Sequence, residues 1–494
     1  MAITGLLSLI FVLLVEAPAR GQVFHWLDQK NKSHQTTVFA EIPQYALPSL
    51  RCTTKILDVP TGQQVIVEGG HRIQLIGVDA PDGPLSWDGT IARLAKHHLE
   101  TLAKGKEVEI KFDRNFKNAK FETLGYVWSN DGTFLNTSMI AAGLAAPLAT
   151  DQNARFAKDF EQAGQKARRA KKGMWQNAKA SPELSRKRMK GFSLGLYSRD
   201  AAYDYTPLLK EQVAIGATDV LLVTPWFLEH HKSCEIVPKK HRSTPLPMVA
   251  RAARQARELG LRVAIMPIVL LWKPEDDHWR GNIEPRDADD WFLNYQEFIG
   301  AFASLAEQAG AAELVVGSEF SSLERDEEHW REVIRGVRGR FHGTLSYSAN
   351  WDHLTVIQFW DALDAIGMTG YHSLTKKNDP SIPELVLAWR KVRTTLEKEL
   401  KYTKKPYFFS EMGYASLDGI NKNPWDYVSP KVIDWQEQAD CYEAYLQVWE
   451  EASTRFLGAF FYTWWRNKDS DDKRQYTVYG KPAEDVIRKW FNAK

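Results

Sequence analysis

Two glutamates stand where apolar runs stop. The stretch "AELVVGSEF" (312–320) ends in Glu319 and Phe320, and "PYFFSEMGY" (406–414) carries Glu411 just past its apolar half. A carboxylate at the end of a buried run is costly unless something pairs with it or uses it. Two carboxylates facing one cleft can share a reaction. One protonates the oxygen of a glycosidic bond as that bond breaks. The other attacks the anomeric carbon from the opposite face, and configuration is retained when the two carboxyls lie about 5–5.5 Å apart. In this reading Glu411 is the nucleophile and Glu319 the general acid/base. Like charge and partial burial raise one member of such a pair, so that it holds a proton near neutrality.

The elements that must position them are legible in residues 191–494. Eight strand-like runs follow one another: 192–198, 219–227, 262–271, 312–320, 344–351, 363–371, 406–414 and 457–465. Helical stretches such as "PLPMVARAARQARELG" and "NYQEFIGAFASLAEQAG" lie between them. Eight βα units of this size imply a (β/α)8 TIM barrel, and near-continuous apolar runs suit parallel strands covered on both faces. Chemistry in such a barrel sits at the C-terminal ends of the strands. Glu319 ends the fourth and Glu411 the seventh.

This placement resembles the clan of (β/α)8 glycosidases with acid/base on strand four and nucleophile on strand seven. The fragments "TPWF", "WRGNIEP", "GSEFSSLE", "MTGY" and "FYTWW" make glycoside hydrolase family 113, the β-mannanases, the nearest match, over most of 191–466. The resemblance implies that Tyr371 hydrogen-bonds Glu411, and that Trp464 or Trp465 floors the sugar at the cleavage point. It implies that Trp226, Asn350 and Trp351 line the cleft, and that Arg280 and Asn282 contact sugar hydroxyls. Many members place Asn just before the acid/base, where this chain has Ser318, so a 2-hydroxyl contact through that Asn does not carry over. No metal or other cofactor is implied. His230 and His231 have no metal-ligand spacing.

The front of the chain reads differently. Residues 1–19 hold an apolar run and "APA", as in a signal peptide of an exported protein, with an uncleaved anchor as the alternative. Residues 20–48 suggest a small β-hairpin module. From 50 to 176 the order of strands and helices, with "LIGVDAPD" and "GMW", resembles the staphylococcal-nuclease-like OB-fold. That family cleaves phosphodiesters with Ca²⁺-binding aspartates, a glutamate base and two arginines. Here Asp79 stands at a ligand position, Asp82 at the base, and Gln74 and Glu122 where the arginines belong. The metal-binding turn keeps only Asp58. The resemblance therefore implies a non-catalytic OB module.

The 494 residues are too many for one core, and the multidomain order of hairpin, OB-fold and barrel follows. A net charge of +2 argues against a nucleic-acid coat, so no specific nucleic-acid partner is expected. Residues 151–190 are locally basic, with 12 Lys/Arg against 4 Asp/Glu. They read as a solvated helix and a linker (177–190), or as a contact for an anionic polymer or surface. Cys52, Cys234 and Cys441 are either free thiols or one disulfide with a thiol left over. The sequence points to a β-1,4-linked polysaccharide substrate, mannan-like by resemblance. An N-acetylated cell-wall glycan, an exopolysaccharide and an inactive glycan-binding role are the alternatives.

Overall fold

In the computed structural model the described residues lie between 23 and 493. Within that span 29, 31, 37–45, 47–48, 82–88, 114–115, 117–122, 149–152, 154, 177–187, 199, 201, 241, 275–277, 428–431 and 466–474 are excluded. The leader read at 1–19, Asp82, Glu122 and most of the basic linker fall outside the described residues. The chain forms two compact units, Met1–Ala178 and Lys179–Lys494. Among the described residues no helix is long and apolar enough to cross a membrane.

The first unit contains β1 (Val23–Leu27), β2 (Ser33–Thr36), β3 (Arg51–Thr61), β4 (Gln64–Val67), β5 (Arg72–Leu75), β6 (Val78–Asp79), β7 (Glu107–Lys111), β8 (Thr123–Ser129) and β9 (Ala146–Pro147). The sheet order is β2-β1-β3-β4-β5-β8-β7, and β3 also pairs with β7, which closes the OB barrel. The long β3 alternates exposed and buried along its first half, so one face feeds the core. The hairpin is not a separate module. Its β1 pairs antiparallel with β3, Phe24 opposite Cys52, and extends the OB sheet. The chain turns at Asp131-Gly132 after β8, and the single bridge Trp128–Phe134 is its only return before the helix Leu135–Ala141 begins.

The second unit is a closed barrel of eight parallel strands: β10 (Met189–Gly195), β11 (Asp219–Leu228), β12 (Arg262–Leu271), β13 (Glu313–Ser318), β14 (Thr344–Ala349), β15 (Ala365–Thr369), β16 (Tyr407–Met412) and β17 (Phe456–Phe461). Parallel pairing of β10 with β17 closes it. Leu221, Val223, Ala264, Met266, Val315, Phe408 and Phe460 fill part of its interior. At the N-terminal end of the strands Arg262 pairs with Asp219 and Glu313, and Ser346 Oγ donates to Glu313 at 2.7 Å. The surrounding helices start on designed caps. Asp287 caps Ala288–Ala309, Asp326 caps Glu327–Arg340 and Asp434 caps Trp435–Glu450, while Ser381 and Glu384 form a capping box on Ile382–Glu399. The register slips between Val315 and Ser318, between Met368 and Thr369, and twice between β16 and β17. Such irregularities re-aim side chains, and these lie beside the two glutamates.

Candidate active site

Glu319 is the first residue past β13. Its φ of 55° is left-handed, one of two such non-glycine residues among those described. A side chain in that region costs on the order of 1–3 kcal/mol and persists only where its surroundings hold it. Here they do. The Glu319 N–H donates to Ser348 O at 2.8 Å. The next N–H, of Phe320, donates to Tyr347 Oη at 3.1 Å, and Tyr347 Oη donates to Glu324 Oε1 at 2.9 Å. Glu324 is fully buried, and its other oxygen meets His353 Nδ1 at 2.9 Å. The turn that presents Glu319 is thus nailed to β14 and the loop after it.

Glu411 sits inside β16, the last residue but one, rather than beyond its end. The residue before it, Ser410, shares a 2.6 Å hydroxyl contact with Ser348. Gly413 follows Met412, and a Cβ there would lie 2.4 Å from Tyr462 O, so only glycine lets the end of β17 come this close. Tyr371 donates its phenolic proton to Glu411 Oε2 at 3.3 Å, as the sequence reading expects. Glu319 and Glu411 are 6% and 8% exposed. Burial, and then the charge of Glu319, push Glu411 up to about 7, while Arg280 and the Tyr371 hydrogen bond act against the rise. The two carboxyls therefore share one electrostatic site. The member that the structure drives toward a proton is the residue assigned as nucleophile.

Arg280 opens the short turn Arg280–Asn282 after β12. Its Nη2 ion-pairs Glu319 Oε2. Its guanidinium lies 5.5 Å from the ring centroid of Trp279. The neighbouring Asn282 is exposed, in contrast to Arg280. Asn350 Oδ1 is engaged by Trp351 N–H at 3.1 Å and Thr369 Oγ1 at 3.2 Å, which fixes the turn that carries Trp351. The half-buried Trp351 ring stacks on Trp425 at 6.1 Å and 18°, and meets His372 edge-on. His372 is pushed down to about 4 by burial and is neutral at working pH.

Two of the sequence-predicted aromatics are corrected. Trp226 is 1% exposed and packs on Phe298 and Phe302 of the helix Ala288–Ala309, so it belongs to the strand–helix layer and not to the cleft. Trp464 is equally buried. Its ring meets Phe192 and Tyr479, and its Nε1 donates to Glu211 at 3.2 Å. Trp465 is half-buried, and its backbone is tied to Thr477. The aromatic that the end of β17 gives to the site is Tyr462. It follows Phe461 and lies within electrostatic reach of Glu411 and Arg280. Tyr197, after β10, lies within electrostatic reach of the same two groups. Sequence reasoning missed Tyr462, Tyr197, Trp425, Glu324 and His353. Tyr197 and Tyr462 stand at the ends of apolar runs and Glu324 closes the fragment "GSEFSSLE", whereas His353 and Trp425 lie in loops without such a signal.

Elsewhere in this unit His231 stacks on His278 at 4.0 Å. Among the described residues one carboxylate trio, Asp379, Asp418 and Asp434, brings oxygens within 4.8 Å of one another. Asn378 engages Asp418, and Asp434 is also the helix cap described above. The three cysteines are free thiols.

In the first unit, Asp58 is held by Lys104 at 2.6 Å. Gln74 sits on β5 opposite Gln64, and Asp79 on β6 opposite Ala146.

A closed parallel barrel whose fourth and seventh strands deliver two buried, interacting carboxylates to one mouth defines a glycoside hydrolase. The family model described as Glycoside Hydrolase Family 113 matches residues 189–481. That is more than half of the chain, and the chain belongs to this family. The chain is similar to a solved GH113 β-1,4-mannanase complex at 26% identity and TM-score 0.55, over 62% of this chain and 100% of that one. It is also similar, at the same identity and score, to a GH113 β-mannanase from Alicyclobacillus acidocaldarius in complex with ManMIm, over 63% of this chain and 99% of that one. The model described as Staphylococcal nuclease homologue matches residues 72–177. The N-terminal region is 29% identical to a thermonuclease of Staphylococcus hyicus over 134 residues, 25% of this chain and 76% of that protein. It is 31% identical to one of Staphylococcus intermedius over 112 residues, 22% of this chain and 64% of that protein.

Proposed function

We propose that this glycoside hydrolase is an exported, retaining endo-β-mannanase that cleaves a β-1,4-linked polysaccharide. Glu411 attacks the anomeric carbon. Glu319 gives its proton to the departing oxygen and then takes one from the water that releases the glycosyl-enzyme. The observation that carries the reading is the shared site of Glu319 and Glu411, each braced by its own partner, Arg280 and Tyr371. The Tyr371 phenol stabilises Glu411 as an anion before attack and lets go as charge leaves that oxygen. Trp351 and Trp425 supply an apolar platform for a sugar ring beyond the cleavage point. Export rests on the leader-like residues 1–19, and mannan on the names of the similar structures. The basic residues 151–190 are a contact for an anionic polymer or surface, and the nuclease-like module does no phosphodiester chemistry.

Two experiments test this. A panel of β-linked polysaccharides, N-acetylated glycans included, is expected to give sized products from β-1,4-mannan foremost. Ser318 is the reason to include the N-acetylated set, because its buried Oγ replaces the expected Asn. Azide is expected to rescue Glu319→Ala on an activated aryl glycoside and give the β-azide. With Glu411→Ala it is expected to give the α-azide, by attack on the vacated face. The reverse stereochemistry would swap the roles, and full activity in both variants would remove the pair from catalysis.

A further inference from the structure

Double displacement needs Glu319 protonated when it meets the glycosidic oxygen, and Glu411 ionised. The structure presents a different arrangement. Arg280 Nη2 covers Oε2 of Glu319. A guanidinium has donors only, so Oε2 facing it can only accept, a proton on Glu319 would have to sit on Oε1, and the adjacent cation favours the ionised form. The pair is largely dry, at 15% side-chain exposure for Arg280 and 8% for Glu319, so water does not weaken it. Arg280 contacts Glu319 from the end of β13, and Glu411 from β16 and Tyr197 from the loop after β10 lie within its electrostatic reach. Tyr462 senses Arg280 and Glu411, Tyr371 senses both glutamates, and Glu324 lies behind Glu319. One cation, two carboxyls and one proton make a neutral set. With Arg280 on Glu319, the cation favours a carboxylate there, and the buried Glu411 is the member left to hold the proton.

We propose that Arg280 is a positioning residue that changes partners: it holds Glu319 as a carboxylate in the free enzyme and releases it when a sugar occupies the cleavage point, so that substrate itself arms the acid/base. This rests on the assignment of Glu319 and Glu411 given above. The element that moves is the arginine. Glu319 is fixed at φ 55° by Ser348 and by the Tyr347–Glu324–His353 chain, whereas Arg280 is a long side chain on a three-residue turn. Arg280 also has a donor to spare, since its buried Nε has no hydrogen-bond partner. A sugar hydroxyl or the Glu411 carboxylate offers an acceptor. The balance is simple. The Nη2–H···Oε2 contact of Glu319 breaks and a contact to the new acceptor forms. One proton leaves Glu411 and one arrives on Glu319, and no net charge enters or leaves.

The test uses the full chain with β-1,4-mannan, whose poor leaving group demands the acid. In Arg280→Gln the high-pH limb of kcat/KM is expected to rise by about one pH unit, because the cation that favours a carboxylate beside it is gone. Its maximum is expected to fall roughly tenfold. Arg280→Lys should keep the limb within about 0.3 unit of the parent, since the charge remains. Limbs that stay in place while activity falls at every pH would make the pair merely structural and overturn the proposal. Should Arg280→Gln fail to fold, infrared difference spectra of Glu411→Gln decide. Adding β-1,4-mannotriose should convert an ionised carboxylate band to a protonated one, and the change should vanish in the Glu319→Gln, Glu411→Gln double variant. No band change, with mannotriose bound, refutes partner exchange. Failure of the azide experiment would remove the catalytic assignment itself. Success there with unmoved limbs or unchanged bands removes only the role of Arg280.

Discussion

Glu411 ties catalysis and stability to the same proton. Its carboxyl is pushed up to about 7, above the ordinary 4.5, chiefly by burial and by Glu319. The free enzyme carries the pair's one proton on Glu411 and needs it for the acid step, so the high-pH limb of kcat/KM is expected near pH 7. Tyr371→Phe removes a hydrogen bond that favours the anion. That limb should therefore move to higher pH, and kcat should fall about tenfold or more, in line with about 1.5–3 kcal/mol for a hydrogen bond to a charged group. The pH dependence of both constants checks this. Stability follows the same proton. A raised folded-state value means that the folded chain binds the proton more tightly than the unfolded chain does. Its contribution is complete below about 4.5 and is lost as pH rises through about 7. Glu411→Gln resembles the protonated form at every pH. It should leave the melting temperature unchanged at pH 5 and raise it at pH 8, by the equivalent of on the order of 3 kcal/mol. Calorimetry at the two pH values measures it. The glutamates and Tyr371 were legible because a polar residue interrupts an apolar run at each. The Arg280–Glu319 pair was not, because its partners are 39 positions apart and meet only through two loops.

At the scale of elements, the same apolar runs that announced the strands concealed which way their side chains point. All ten residues of β11 are buried. A strand covered on both faces has no period of two to separate the barrel interior from the helix layer. That is why Trp226 read as a cleft residue and proved to be wedged on Phe298 and Phe302. Trp464 failed for a related reason. The chain turns as it leaves β17, where Thr463 Oγ1 donates to Ser193 O at 2.8 Å, and this sends Trp464 back toward Phe192. The two kinds of tryptophan should separate by experiment. Trp226→Ala empties core volume and should cost about 3–5 kcal/mol of stability without a selective change in KM. Trp351→Ala removes a half-exposed platform. It should raise KM for longer mannan oligosaccharides roughly tenfold, about 1.4 kcal/mol, with melting little changed. Denaturant titration beside steady-state kinetics distinguishes them. A Trp226→Ala protein of unchanged stability would restore that residue to the cleft.

For the molecule as a whole, the question is whether its nuclease-like unit still cuts. The fold argues for it: OB barrel, helices and the strand Val78–Asp79 are present, and the region is similar to thermonucleases. The residues argue against it. In-line attack on a phosphodiester builds charge on the phosphoryl oxygens, and an arginine placed there is worth about 10³–10⁵ in rate. The two positions where arginines belong are Gln74 and Glu122. The first is neutral, and the second would repel a phosphate. Asp58, left over from the metal-binding turn, is neutralised by Lys104 at 2.6 Å. A Ca²⁺ site reduced to Asp79 and an aspartate at the base position, one methylene short, has neither the charge nor the reach. Full-length protein with Ca²⁺ is therefore expected to leave single-stranded DNA and RNA intact above background, while it hydrolyses β-1,4-mannan in the same buffer. Asp79→Ala should change neither result. Ca²⁺-dependent cleavage that disappears in Asp79→Ala would mean that cations from elsewhere in the chain replace the missing arginines. In that case the basic residues between 151 and 190 are the place to look, since Lys166, Arg168 and Arg169 share the last turn of the helix Ala157–Arg169. Intact nucleic acid beside degraded mannan would leave those cations as a solvated helix and tether, or as a contact for an anionic polymer, without a part in phosphodiester cleavage.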